Sequence, residues 1–310
     1  MSVKFMLAKE FHNGMCPPRS DQECNPPIGW TASEKYDGYR ARWMGKEEEK
    51  LFLSRAQKLF NAHELFKLAM PDENLDGELW VGRENFQMMG VVRKKVPVLE
   101  EWKNVQYIVY DLPDMKKPFS ERLIALRLIV KKNKARWESI VSKLPEEFQI
   151  ECPLKMAQQT TIESEQHMDK LYKKILEKGG EGLMIKDPDS MYEDKRSNYM
   201  LKVKPSFDEE AIIIDYKLGN GKYKGILGGF ICRSLINMDT YHLIDLNENR
   251  EFSLSGMDDS IRNDYETTHP IGTVISITHS GITDGGKPRF ARYIRKREDI
   301  IIKEAPENQS

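Results

Sequence analysis

One stretch of the chain could do covalent chemistry: Glu34-Lys35-Tyr36-Asp37-Gly38-Tyr39-Arg40. It sets a lysine beside an Asp-Gly corner, with an arginine two residues past the glycine. A free lysine, with a pKa near ~10.4, is protonated and has no lone pair to offer. Neighbouring cations or a metal, and a negative partner to hold it, turn such an amine into a nucleophile toward phosphorus. A lysine used this way needs a platform for a nucleotide base, cations for phosphates and a carboxylate for a metal. Lys35 and Asp37, two apart, are expected on one side of an extended strand. Taken alone, the stretch reads more simply as a hairpin with an Asp-Gly turn.

Further pieces follow in order. Ser54-Arg55 ends an expected strand and offers a guanidinium suited to a phosphate. Asp76-Gly77-Glu78-Leu79 opens an apolar strand with carboxylates that could accept from ribose hydroxyls, and Tyr110-Asp111 closes another with a ring that could stack on a base. Glu181-Gly182-Leu183-Met184-Ile185-Lys186 again begins with a carboxylate, the best candidate for a metal ligand. Leu201-Lys202-Val203-Lys204 alternates, so Lys202 and Lys204 are expected on one face of a strand, where a phosphate between them would offset their repulsion. Each has a plainer reading: a surface arginine, a turn, a core tyrosine, a solvated edge strand.

The elements expected to carry these residues are strands at 35–43 and 51–54 around a charged tip at 45–50, and strands at 74–82, 105–111, 182–186 and 199–204. Asn61 is the expected N-cap of a helix reaching residue 70. A long amphipathic helix is expected from Ser120 to about 144, and Thr160 with Glu163 forms a capping box for another that ends at Gly179-Gly180. Residues 1–30, punctuated by Pro17-Pro18 and Pro26-Pro27, read as an irregular arm. Past Pro205-Ser206 come short strands at 211–216, 229–233, 241–246, 272–279 and 290–295, with a helical segment at 257–265. That pattern predicts a small OB-type barrel. The fold class is thus α+β: a domain of antiparallel sheets with helices over 1–206, then an OB-fold β-barrel over 207–310.

Composition sets outer bounds. At 310 residues, 39% hydrophobic and 31% charged, the chain has room for two globular domains and is not of disordered type. No apolar run approaches membrane-spanning length, and the N-terminus does not read as a secretory leader. A cytoplasmic protein, not secreted and without membrane partners, is expected. The formal charge of −1 gives no sign of nucleic-acid binding, although net charge hides its distribution. The four cysteines form no Cys-x-x-Cys pair, which argues against a zinc module, fits a reducing compartment and leaves a Cys16–Cys24 disulfide unexpected.

Taken jointly and in this order, the motifs resemble those of the covalent nucleotidyltransferase superfamily, most closely the small two-domain ATP-dependent DNA ligases. Gly221-Lys222-Tyr223-Lys224-Gly225-Ile226-Leu227-Gly228 is similar to that family's basic glycine-rich loop, and Pro288-Arg289-Phe290-Ala291-Arg292-Tyr293-Ile294-Arg295-Lys296-Arg297-Glu298-Asp299 to its C-terminal motif. The resemblance implies a nucleotidyltransferase (adenylation) domain followed by the OB fold. It implies that Lys35 attacks the α-phosphate of ATP and carries AMP as a phosphoramidate, with Asp37 in the same motif. Glu78 would bind the ribose and, with Glu181, serve a Mg²⁺ (or Mn²⁺) ion. Tyr110 would stack on adenine, Lys186 would line the nucleotide, and Lys202 and Lys204 would hold the α-phosphate. Arg40 and Arg55 would contact the nucleotide or the 5′-phosphate of a nick, while Arg295, Arg297 and Asp299 would close over the β and γ phosphates.

The implied partner is nicked duplex DNA, the protein acting as a monomer at a nucleoid or at a viral or phage replication site. Ile300 stands where many members have lysine after the final Arg-x-Asp. No room precedes Lys35 for a helical DNA-binding domain, and the loop at 219–225 is short. DNA grip is therefore expected from Arg93-Lys94-Lys95, Lys116-Lys117, Lys222, Lys224 and the run from Arg289 to Arg297. An mRNA capping guanylyltransferase and an RNA ligase share the lysine chemistry and stay open as alternatives. So does a non-catalytic OB-fold nucleic-acid binder.

Overall fold

The structure is a computed structural model describing residues 3–11, 27–238, 241–244, 251–283 and 285–300. Two compact units divide it, Met1–Val203 and Lys204–Ser310. Most of the expected arm, with Cys16 and Cys24, lies outside the described residues, as do positions 245 and 246 of one expected strand. Cys152 and Cys232 are buried free thiols.

The first unit contains strands β1 (Leu7–Glu10), β2 (Thr31–Glu34), β3 (Tyr39–Met44), β4 (Leu51–Ser54), β5 (Leu59–Phe60), β6 (Leu75–Trp80), β7 (Gln106–Asp111), β8 (Leu154–Met156), β9 (Gln159–Thr161), β10 (Leu183–Lys186) and β11 (Arg196–Val203). Its α-helices are α1 (Glu64–Leu68), α2 (Leu99–Trp102), α3 (Phe119–Val141) and α4 (Glu165–Leu176). The strands form a five-stranded sheet in the order β1-β11-β10-β2-β9 and a six-stranded sheet in the order β5-β4-β3-β6-β7-β8. Neither is wholly antiparallel as expected, because β1 runs parallel to β11 and β8 parallel to β7.

The six-stranded sheet is held by an aromatic core. Trp43, Phe52, Phe66, Trp102 and Tyr107 are fully buried, and Phe52 stands edge-on to Tyr107 at 5.0 Å. Each such side chain contributes roughly 1.5–3 kcal/mol by leaving water. Helix α3 adds Leu126 and Trp137 to that core, and Trp137 also donates its indole N–H to Ile150 O. A second, smaller core gathers Ala32, Ile162, Met168, Leu183, Ile185 and Leu201 under the five-stranded sheet.

Three helix starts differ from the sequence reading. The N-cap of α1 is His63, whose ring nitrogen accepts from Leu65 N, while Asn61 instead donates to Lys94 O. Helix α3 begins at Phe119, one residue before Ser120, behind Pro118. Helix α4 is capped by Ser164, which accepts from His167 N. Thr160 cannot cap it because Thr160 is paired with Ala32 in the β2–β9 ladder. The arm expected to be irregular supplies strand β1, an edge strand whose partner lies about 190 residues downstream.

The second unit contains β12 (Phe207–Leu218), β13 (Leu227–Met238), β14 (Tyr241–Ile244), β15 (Phe252–Leu254), helices α5 (Asp259–Asn263) and α6 (Tyr265–Thr268), then β16 (Val274–His279) and β17 (Arg292–Lys296). The sheet runs β14-β13-β12-β16-β17, with β15 on β13. It is not a closed barrel among the described residues. A single bridge, Ser255 with Arg292, links the end of β15 to β17 and turns the sheet back on itself. Its core is Ala211, Ile213, Phe230, Cys232, Leu254, Ile275 and Ile277. Among the described residues, no helix is long and apolar enough to cross a membrane.

Candidate active site

Lys35 stands immediately after β2, where the chain passes from the five-stranded sheet to the six-stranded one. Residues 35–38 are not in a strand, so Lys35 and Asp37 do not share a strand face as expected. The break has a steric cause at Gly38, where a β-carbon would stand 2.2 Å from Leu79 O. Only glycine lets the chain pass this close to β6 before β3 begins. The amide of Lys35 continues the ladder by donating to Gly182 O at 2.8 Å. Its ammonium lies 2.5 Å from Glu181 Oε2. The negative partner required by the sequence argument is therefore in place.

Lys35 lines a cavity of about 290 Å³ together with Arg40, Arg55, Glu78, Tyr110, Lys186 and Lys202. The six-stranded sheet supplies Arg40 from β3, Glu78 from β6 and Tyr110 from β7, with Arg55 just past β4. Arg40 and Glu78 are direct register partners. Lys186 ends β10 and Lys202 lies on β11, so the five-stranded sheet supplies the other cations. Leu7, Ala8, Thr31, Ser33, Phe119, Gln159, Met184, Arg196 and Met200 complete much of the lining, and of these the sequence motifs had included only Met184, inside the Glu181–Lys186 motif and without a role.

Several of these groups already have partners. Arg40 grips buried Asp76 with a fork, Nε to Oδ1 at 3.1 Å and Nη2 to Oδ2 at 2.7 Å, and donates from Nη1 to Met6 O. Lys186 Nζ is 2.6 Å from Asp111 Oδ2 and 4.4 Å from the Phe119 ring centre. Arg122 takes the other side of Asp111, with Nε 2.6 Å from Oδ1. Burial would raise the Asp111 pKa, but Lys186 and Arg122 more than offset that and hold it at about 2. Lys202 is 3.2 Å from Glu10 Oε1. Lys204 is not on β11, which ends at Val203, and it belongs to the second unit, where it donates to Ser280 Oγ at 3.0 Å. Asp37 is not among the residues lining the cavity. Arg295, Arg297 and Asp299 are in the second unit, Arg297 forking onto Asp299 at 2.8 Å for each bond.

Glu78 has the most perturbed acid in the cavity. Burial, aided by Glu181 and Asp76 and opposed by Lys35 and Arg40, pushes its carboxyl up to about 8. Tyr110, whose hydroxyl donates to Gly77 O at 3.3 Å, is likewise raised well above the usual phenol by burial. Because the folded pKa of Glu78 exceeds its ordinary 4.5, its neutral form favours the fold fully below about pH 4.5, and that contribution is lost as pH rises through about 8. Glu78→Gln, permanently neutral, is expected to gain stability relative to wild type as pH rises from 5 to 8. Paired chemical-denaturation curves across that range check it, and parallel profiles would contradict it.

The chain that carries this site has counterparts. A sequence model of the ATP dependent DNA ligase domain matches residues 6–204. The chain belongs to the ATP-dependent DNA ligase family. A DNA ligase OB-like domain matches residues 218–297, so the fold is a nucleotidyltransferase domain followed by an OB-like one. The chain is 29% identical over 276 residues to a DNA ligase of Haemophilus influenzae, covering 88% of this chain and 89% of that one. It superposes with a TM-score of 0.72 and 25% identity on a solved Lig E DNA ligase, over 96% of this chain and all of the other. A Chlorella virus DNA ligase-adenylate shares the fold at a TM-score of 0.50 and 20% identity, over 95% and 99% of the two chains. Membership makes this chain an ATP-using enzyme that joins DNA, and sets aside the guanylyltransferase, RNA-ligase and non-catalytic readings.

Proposed function

We propose that the chain seals 5′-phosphate/3′-hydroxyl nicks in duplex DNA, as a monomer, through a lysyl-AMP on Lys35 and a DNA-adenylate. The observation that carries this is the ion pair of Lys35 with Glu181, Lys35 lining a cavity that also takes in the Tyr110 ring, the Glu78 carboxyl and the cations of Arg40, Arg55, Lys186 and Lys202. Glu181 holds the Lys35 ammonium and is the group at hand to take its proton. The freed amine attacks the α-phosphorus of ATP, a P–N bond forms, and the bond to pyrophosphate breaks. The DNA 5′-phosphate then displaces the lysine, and the 3′-hydroxyl displaces AMP. Lys202, on leaving Glu10, and Arg55 neutralise phosphate charge, which is most of what phosphoryl transfer asks of a protein.

Tyr110 faces the base and Glu78 the ribose. Arg40 forks onto Asp76, which fits it to shape the wall and to offer its remaining edge to the nucleotide. Lys186, held by Asp111, lines the nucleotide beside them. Lys204, Arg295, Arg297 and Asp299 would serve the phosphates from the second unit, which begins at Lys204, the OB domain proper being set to begin at 207. Arg297 must then leave Asp299.

The carboxylates fit a magnesium ion in its usual mode. Among the described residues no cluster of three or more His, Cys, Asp or Glu forms a dedicated metal cage, and Mg²⁺ is commonly held by one or two carboxylates plus substrate phosphates. Glu181 and Glu78, whose charge Glu181 disfavours, are the two that would hold it. When bound, the ion supplies charge neutralisation at the phosphates. Because Glu78 is neutral up to about pH 8, ion binding there releases a proton. Buried free thiols at Cys152 and Cys232 fit action in a reducing cytoplasm, on nucleoid, viral or phage DNA.

The test is a nicked duplex with a labelled 5′-phosphate, offered with ATP and Mg²⁺ beside GTP and an RNA-containing nick. Sealing with ATP on DNA is expected, and sealing only in the other arms, or in none, would overturn the reading. Affinity for the same duplex should fall steeply with salt, its log–log slope growing by about 0.9 for each phosphate neutralised. Fluorescence anisotropy across a salt series measures that slope, and a flat line would rule out phosphate contacts by cations such as Arg93, Lys222 and Arg292.

A further inference from the structure

We infer that Arg83 is a positioning residue for the nucleophile, acting through Glu34, an inference that rests on Lys35 being that nucleophile. The end of β2 is a thin wall. Ser33, Glu34 and Tyr36 line the nucleotide-sized cavity on one side and, on the other, a second cavity of about 420 Å³. The backbone there is held by the β2–β10 and β2–β9 ladders and by Lys35 N to Gly182 O, while side chains that face open space have few packing neighbours and take their position from specific contacts.

Two such contacts exist, one on each side of Lys35, and both lead to the exit of β6. Arg83 forks onto Glu34, Nε to Oε1 at 2.9 Å and Nη2 to Oε2 at 2.7 Å. Tyr36 stands edge-on to Trp80 at 5.2 Å. Glu34 belongs to the five-stranded sheet, Trp80 to the six-stranded one, and Arg83 follows three residues after it. The fork therefore ties the two sheets together at the level of the reacting amine. The fork also lies close to the chain entering β10, since a β-carbon on Gly180 would lie 3.1 Å from Glu34 Oε1. Gly180 directly precedes Glu181, which holds the Lys35 ammonium.

Arg83 lines only the second cavity, so it does not touch the nucleotide. Its effect must pass through the placement of Lys35 against phosphorus, where a misplacement of about 1 Å can cost ~10²-fold in rate. Without the fork, the Glu34 side chain is free to move toward the second cavity, and the turn that carries Lys35 past the end of β2 loses that anchor.

The experiment is single-turnover transfer of labelled AMP from ATP to the full-length protein, for wild type, Arg83→Met, Arg83→Lys, Glu34→Gln and the Glu34→Gln/Arg83→Met pair. Arg83→Met is expected to lower the rate constant at saturating ATP by roughly 10²-fold while leaving the KM for ATP near wild type. Arg83→Lys should recover part of the loss, because it keeps the charge but not the planar fork. The double variant should be no slower than Arg83→Met, since both changes remove one contact. Near-wild-type rate constants in Arg83→Met, a loss confined to KM, or strictly additive single losses would overturn the inference. Should Arg83→Met unfold, Arg83→Lys and Glu34→Gln decide by the same criteria. Lys35→Ala runs alongside: if it still accepts AMP, the nucleophile assignment itself fails and the inference falls with it.

Discussion

Lys35→Ala is expected to fold and to accept no covalent AMP, with self-adenylation down by about four orders of magnitude or more, the scale seen when a covalent nucleophile is removed. The reason is geometric as well as chemical. Lys35 is the residue whose amine meets Glu181 at 2.5 Å. Lys186, which ends β10 beside Thr31 at the far end of β2, has its ammonium against Asp111 and is nearly buried. Lys35→Arg should be equally inactive, because it keeps the charge but offers no attacking amine at neutral pH. Neither variant should lose the last chemical step. A nick that already carries the adenylate needs only the 3′-hydroxyl as nucleophile, so both variants should still seal it. Label transfer from ATP and sealing of a pre-adenylated nick, measured on the same preparation, separate these steps. Adenylate formation by Lys35→Ala would move the nucleophile elsewhere. Failure on the pre-adenylated nick would show that the amine serves more than the first step.

The residues legible in the sequence are those whose placement depends on short-range geometry. Arg40, Glu78 and Tyr110 fall on one cavity because they sit on adjacent strands whose alternation and turns are written locally. Lys35 leaves the strand where the chain crosses between the sheets, and glycine is needed at position 38 because a β-carbon there would meet Leu79 O, a constraint set by a strand forty residues away. What the sequence hid is carried by long-range pairing. Leu7 and Ala8 line the cavity because β1 pairs with β11, and nothing in four residues of an expected irregular arm signals that partner. Glu10 against Lys202 and Arg83 against Glu34 are likewise contacts between distant segments. The Lys202–Lys204 alternation misled because a strand end and a unit boundary fall between the two residues. The OB fold was expected from the strand pattern and the family resemblance, and the OB-like match agrees with it, while where the sheet turns back on itself depends on single bridges such as Ser255 with Arg292.

The second large effect lies in a place the sequence marked only as the end of a strand. Asp111→Asn is expected to destabilise the first unit by about 3–5 kcal/mol, because it leaves two buried cations without their counter-charge. Asp111 and Arg122 have no exposed side-chain surface, and Lys186 is nearly as enclosed. At about 2–4 °C per kcal/mol for a unit of this size, the thermal midpoint should fall by roughly 10 °C. The loss has a pH signature. Lys186 and Arg122, outweighing burial, hold the folded Asp111 pKa near 2 against an ordinary 3.8. Its stabilising charge is therefore fully present above about pH 4 and lost as pH falls through about 2. Wild type and Asp111→Asn should differ most near neutrality and converge in acid. Calorimetric melts from pH 7 downward measure that convergence, and equal midpoints at pH 7 would show that the triad does not hold the unit together. The same substitution should also slow adenylation. Asp111 on β7 joins Lys186 on β10, so it fastens the sheet carrying Tyr110 and Glu78 to the sheet that positions Lys35 and Lys202.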